Sequence, residues 1–153
     1  MLIEEKLKSM NITLGEASKP VAAYVPGIIT DNYIYVSGQL PIAEGKLQLK
    51  GHVGREVSEE DAYEAAKLCI LNALSVLKDM LGDLDKVEQF VKLTGFVASA
   101  PGFTRQPKVV NGASEFIISL YGERGQHARS AVGVAELPLG APVEIEMIVK
   151  IKA

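Results

Sequence analysis

ARSAVGVAELPLGAPVEIEM, residues 128–147, sets an arginine at the head of a run of small residues and ends in a strand where glutamates alternate with aliphatics. The intervening ELPLGAP is rich in chain-reversing residues, so the stretch reads as two antiparallel strands over 128–136 and 142–151. Successive strand residues point to opposite faces. In the second strand Ile145, Met147, Val149 and Ile151 therefore share one face, and Glu144, Glu146, Ile148, Lys150 and Lys152 share the other. The apolar row marks a face covered by helices. In the first strand Val132 and Val134 suit that covered face, which leaves Arg129, Ala131, Gly133 and Ala135 on the opposite one. With about 3.3 Å per residue, and some six residues of paired strand between them, Arg129 and Glu144 of one chain are expected roughly 20 Å apart.

The remaining elements are consistent with such a sheet. GIIT and NYIYVSGQLP, joined at Asp31-Asn32, read as a hairpin in which Tyr33, Tyr35 and Ser37 oppose Ile34 and Val36. Ser58 with Asp61 three residues on marks the start of a long helix that Gly82 ends, with Ala62, Ala66, Cys69, Ala73, Leu77 and Met80 as its inward stripe. A strand over about 86–98 places Phe90, Thr94 and Phe96 opposite Val91 and Val97. A second helix runs from near Pro107 to Gly122 with Val110, Ala113, Ile117 and Leu120 on one face. Leu2, Ile3, Leu7 and Met10 suggest a short helix over 2–10. The order predicts an α+β fold in one domain over 1–153, with two main helices on one face of a mixed sheet. The second face is partly aromatic, and soluble monomers seldom expose such a patch, so other copies of the chain are expected to cover it.

Composition narrows the function. A net charge of -3 argues against a nucleic-acid partner. No apolar run approaches the ~20 residues of a membrane span, and MLIEEKLKSM does not read as a signal peptide, so a cytoplasmic protein is expected. Asn11-Ile12-Thr13 matches a glycosylation sequon that such a location would leave unused. Cys69 is a lone cysteine on an apolar stripe and reads as a packed core thiol. There is no HExxH, CxxC or phosphate loop, and His52 and His127 lie far apart, so neither metal nor cofactor is expected. His127 shares the parity of Arg129 but reads as a surface or structural residue.

Arg129 is the centre of interest because Ala131 and Gly133 leave room beside it. A guanidinium is a planar fork of donors that matches a carboxylate bidentately. Its guest would be a small carboxylate, although an arginine that only pairs with a glutamate across a subunit contact fits the pattern equally. On spacing alone, Glu144 fits better as a solvated acid paired with a lysine. If the two residues share a site, that site lies between subunits.

HARSAVGVAELPLGAPVEIEMIV (127–149) resembles the C-terminal signature of the RidA family, also called the YjgF/YER057c/UK114 family. VSGQLP (36–41) matches a second segment of that family, and Tyr24 in AAYVPG resembles its N-terminal tyrosine. The resemblance covers nearly the whole chain. It implies a chorismate-mutase-like fold, a homotrimer with a ligand site in each cleft between subunits, and hydrolysis of 2-imino acids and enamines, such as those released by pyridoxal-phosphate enzymes, to 2-oxo acids and ammonia. This is a hydrolase activity on C=N bonds, of the 2-iminobutanoate/2-iminopropanoate deaminase type. By the same resemblance Arg129 holds the substrate carboxylate, Glu144 positions the hydrolytic water, Tyr24 orients the substrate or departing ammonia, and Ser37 lines the cleft. Asn111 matches a cleft asparagine with spacing changed by one residue, and Ala131 stands beside the substrate where many members have cysteine. The N-terminal helix and the segments 43–57 and 99–112 also depart from the common form. Two other readings are a non-catalytic carboxylate-binding or regulatory trimer and, more weakly, an endoribonuclease, which the acidic chain and the lack of a histidine pair disfavour.

Overall fold

The structure is a computed structural model that describes residues 2–20 and 22–153. In chain order it contains α1 (Leu2–Ser9), β1 (Gly27–Thr30), β2 (Tyr33–Gln39), β3 (Ile42–Ala43), β4 (Lys46–Leu47), α2 (Glu59–Leu81), β5 (Val87–Ala98), α3 (Gln106–Tyr121), β6 (Ala128–Val134) and β7 (Val143–Ile151). The main sheet has the order β1-β2-β7-β5-β6, and β3 and β4 form a separate small hairpin. All neighbours in the main sheet are antiparallel except β5 and β6, which run parallel with α3 as the crossover. The α+β class and the helix layer read from the sequence are present. The small β3–β4 hairpin was not anticipated.

Local chemistry explains the long helices. The Ser58 hydroxyl accepts from the Asp61 N–H at 3.1 Å, and three acids in the first turn of α2 face the positive end of its dipole. Gly82, with φ of 78°, takes the left-handed conformation that ends the helix, and its N–H donates to the Lys78 carbonyl at 2.8 Å. Ala62, Ala66, Cys69, Ala73 and Leu77 are buried as the stripe predicts, whereas Met80 is only partly covered. Val110, Ala113, Ile117 and Leu120 of α3 are buried too. The two helices touch at backbone level: a Cβ on Gly112 would lie 2.0 Å from the Tyr63 carbonyl oxygen.

On α1, Ile3 and Leu7 are buried but Leu2 and Met10 are exposed, so the inward stripe is narrower than the sequence suggested. Polar contacts complete the attachment. The Leu2 and Ile3 N–H groups donate to the Asp85 carboxylate at 2.7 and 2.8 Å, and Glu4 accepts from Lys78 at 3.0 Å and from the Leu84 N–H at 2.8 Å.

The face assignments hold for β2 and β7 and fail for β6. Ile34, Val36, Ile145, Met147 and Val149 are buried under the helices. In β6, however, Arg129 hydrogen-bonds to α3, Ala131 packs against the core, and a Cβ on Gly133 would touch the Gln106 side chain. These residues face the helices. Val132 is 43% exposed on the other side. Parallel pairing of Leu93 with Arg129 and Gly95 with Ala131 fixes this, because Leu93 and Gly95 are themselves buried under α3. In β5 a register irregularity between Phe90 and Lys92 inverts the parity before it, so Phe90 is a core residue packed edge-on against Tyr121. Thr94 and Phe96 stay on the free face, with Tyr35 and Ile148 in the same layer.

The sequence also implied that β6 and β7 pair directly. Instead β5 lies between them, and they are antiparallel only through it. Arg129 is level with Met147 through Leu93, and Glu144 is level with Val132 through Phe96. Strand geometry then puts their backbones roughly 14 Å apart, closer than expected, but on opposite faces of the sheet.

Replacing Gly112 by alanine forces a methyl against the α2 backbone. This should destabilise the fold by about 3 kcal/mol, measured by thermal or denaturant unfolding.

Candidate functional site

The residues singled out from the sequence fall into two groups. The first surrounds Arg129, which is partly buried at the edge strand β6. Its Nη1 donates to Asn111 Oδ1 at 2.8 Å and to Ser114 Oγ at 3.2 Å, and its Nη2 donates to the Pro107 carbonyl at 3.4 Å. Asn111 and Ser114 lie on one face of α3, three residues apart. Among the described residues no carboxylate forms an ion pair with Arg129. Among the described residues Nη1 has two acceptors, Nη2 has one and Nε–H has none. Nε and Nη2 share one edge of the guanidinium plane, the edge a carboxylate can accept bidentately. Ala131 and Gly133 follow on the same face, and the room the sequence suggested beside them is taken up: Ala131 packs against the core, and a Cβ on Gly133 would lie 2.8 Å from the Gln106 side chain and 3.0 Å from Ser99 Oγ.

The second group lines a recess of about 260 Å³ whose walls include Tyr24, Ser37, Gly38, Gln39, Leu139 and Glu144. Its floor is made by an irregularity in the β2–β7 register between Val36 and Gln39. At Gly38 the Glu144 carboxylate rests on bare backbone, 2.6 Å from where a Cβ would be. The Ser37 hydroxyl donates to the Val25 carbonyl at 2.6 Å, which ties the Tyr24 segment to β2 and leaves Ser37 as an acceptor. Tyr24 is 54% exposed at the mouth. Leu139 stands opposite with φ of 62°, an uncommon conformation for a leucine. Burial raises the Glu144 pKa above the ordinary carboxylate value, and the neighbouring Glu146 adds to the effect.

Arg129, Asn111 and Ala131 do not line this recess. One chain thus carries the two groups on opposite faces of its sheet. One side-chain partner of Arg129, and the residue behind that partner, could not be anticipated from spacing. Ser114 is one of few polar side chains on an otherwise apolar helix face, and that contrast is its only trace in the sequence. His127 reaches Ser114 Oγ with Nε2 at 2.8 Å and Gly125 O with Nδ1 at 2.6 Å. Cys69 is fully buried and burial pushes its thiol pKa up, as suits a core residue. His52 is held between Glu136 at 2.8 Å and Glu56 at 3.2 Å, and these acids raise its pKa.

Comparison with known proteins identifies the family. A family model described as endoribonuclease L-PSP matches residues 14–151. The Trypanosoma cruzi protein TCP17 is 41% identical over 150 residues, covering 97% of this chain and 94% of that protein. A crystal structure of an Agrobacterium tumefaciens protein described as of unknown function superimposes with a TM-score of 0.91 at 48% identity, covering 99% of this chain and 93% of that one. The rat protein named 2-iminobutanoate/2-iminopropanoate deaminase is 32% identical over 137 residues, covering 90% of this chain and 86% of its own. The chain belongs to the RidA (YjgF/YER057c/UK114) family. No described helix is long and apolar enough to cross a membrane.

Because the folded state raises the Glu144 pKa, its ionised form is less favourable in the fold than in the unfolded chain, and stability is lost as pH rises through the folded value. Glu144→Gln should therefore melt at a higher temperature than the parent at pH 7. The difference should shrink as pH falls below the ordinary carboxylate range, where both chain states are protonated. Calorimetric melts across pH 3–8 check the sign.

Proposed function

We propose that the protein hydrolyses 2-imino acids to 2-oxo acids and ammonia, in a site completed when Arg129 of one copy meets the recess of another. The observation that carries the reading is the Nε/Nη2 edge of Arg129, which among the described residues meets no carboxylate and only the Pro107 carbonyl, at 3.4 Å. The substrate carboxylate binds there, where each charge-assisted hydrogen bond contributes about 1.5–3 kcal/mol when shielded from water. The recess supplies the rest. A water between Glu144 and the acceptor oxygens of Ser37 attacks the imine carbon, and Tyr24 at the mouth orients the nitrogen that leaves as ammonia. A carboxyl group with raised pKa is a better proton acceptor toward that water than an ordinary carboxylate. Imines hydrolyse readily in water, so positioning and proton transfer supply enough without metal or cofactor. The named activity of the rat relative supports the same chemistry.

The half-sites also require assembly. The free face carries exposed Tyr33, Tyr35, Ile28 and Val132, an apolar patch of the kind that other copies cover. A homotrimer is the assembly in this reading, with three equivalent sites between copies. The protein is then a trimer at micromolar concentration, and sedimentation at monomer mass would overturn the shared site.

In a coupled assay where a dehydratase generates 2-iminobutyrate, the wild type should accelerate its decay. Arg129→Ala should lower kcat/KM roughly 10- to 100-fold. Equal rates for the two proteins would remove Arg129 from the reaction. Tight 2-oxobutyrate binding without acceleration would instead identify a carboxylate-binding protein.

A further inference from the structure

We infer that Ser114 and His127, which touch no substrate, act as positioning residues that lock the Arg129 guanidinium with its Nε/Nη2 edge outward. The inference rests on the carboxylate-binding reading of Arg129 and explains how that edge is kept available. An arginine side chain at a sheet edge has several rotamers, and an anion-binding arginine loses affinity when its fork is free to turn. Without Ser114 the guanidinium would keep Asn111 on Nη1 at 2.8 Å and only a long 3.4 Å contact from Nη2 to the Pro107 carbonyl, which holds the plane loosely. Ser114 supplies a second acceptor to Nη1, at 3.2 Å, and two acceptors on one nitrogen define the plane.

Ser114 can do this only if its own hydrogen points elsewhere. It is 8% exposed in the interior of α3, where a serine hydroxyl ordinarily turns back to a carbonyl of its own helix. His127 provides the alternative. Its Nδ1 lies 2.6 Å from the Gly125 carbonyl, which can only accept, so in the neutral ring Nδ1 carries the hydrogen and Nε2 is an acceptor. The Ser114 hydroxyl then donates to Nε2 at 2.8 Å and its lone pair is directed to Arg129. The chain of donors runs from Arg129 through Ser114 to His127 in one direction. It is anchored at the far end by the backbone of the turn after α3.

Nitrogen-15 spectra of the arginine side chains test the lock without reference to activity. The parent protein should show separate Nη1 and Nη2 signals for Arg129, assigned by their loss in Arg129→Lys. Ser114→Ala and His127→Leu should merge them, and Ser114→Thr, which keeps the hydroxyl, should not. Calorimetric titration with 2-oxobutyrate should show affinity reduced about tenfold in Ser114→Ala and restored to within about twofold in Ser114→Thr. Melting curves of all three variants should show a folded protein. Signals that stay resolved in both Ser114→Ala and His127→Leu overturn the inference, as does an equal loss of affinity in the alanine and threonine variants. If the parent shows resolved signals that merge as described but does not bind 2-oxobutyrate, the orienting role is supported and the carboxylate reading of Arg129 falls.

Discussion

The parallel pairing of β5 with β6 is the constraint from which the rest of the molecule follows. Parallel neighbours need a crossover, and α3 supplies it across the covered face of the sheet. Once Leu93 is opposite Arg129, every second residue of β6 must face that helix. Arg129 is thereby delivered to Asn111 and Ser114, and the carboxylate of Glu144, two strands away in β7, is delivered to the other side. The register of the sheet thus divides the candidate side chains between its two faces.

Much of this was legible in the residues themselves. The β7 alternation is legible because Ile145, Met147 and Val149 contrast with Glu144, Glu146 and Lys150, and all three are buried. The long helix could be read from its ends, since Ser58 and Gly82 have local roles that no tertiary contact needs to supply. For β6 the same reasoning misled. Its valines point away from the core, and its smallest residues point inward because Gln106 and Ser99 approach within contact of Gly133. Hydrophobicity predicts burial only where space is plentiful, and beneath α3 it is not. The parity before Lys92 was hidden for another reason, a register irregularity that leaves no mark in composition.

The candidate site shows the same division. Arg129 stood out from its residue type and its small neighbours, whereas Glu144, Tyr24 and Ser37 entered the candidate site only through family resemblance. Their separation into two groups depends on strand order, which pattern alone does not determine. Ser114 and His127 were invisible as a pair because their relation exists only after the turn following α3 returns the chain beneath its own helix. Gly38 has its role through an absent side chain, which lets a carboxylate lie against the backbone.

The outer strands of the sheet have a further implication. β1 is four residues long and displays Ile28 and Ile29, while β6 at the opposite margin is held on one flank alone. Each margin leaves a row of amide groups able to template another strand. A newly made chain therefore carries an aggregation hazard at both margins, one softened at β1 by its brevity and ended wherever another polypeptide occupies those amides.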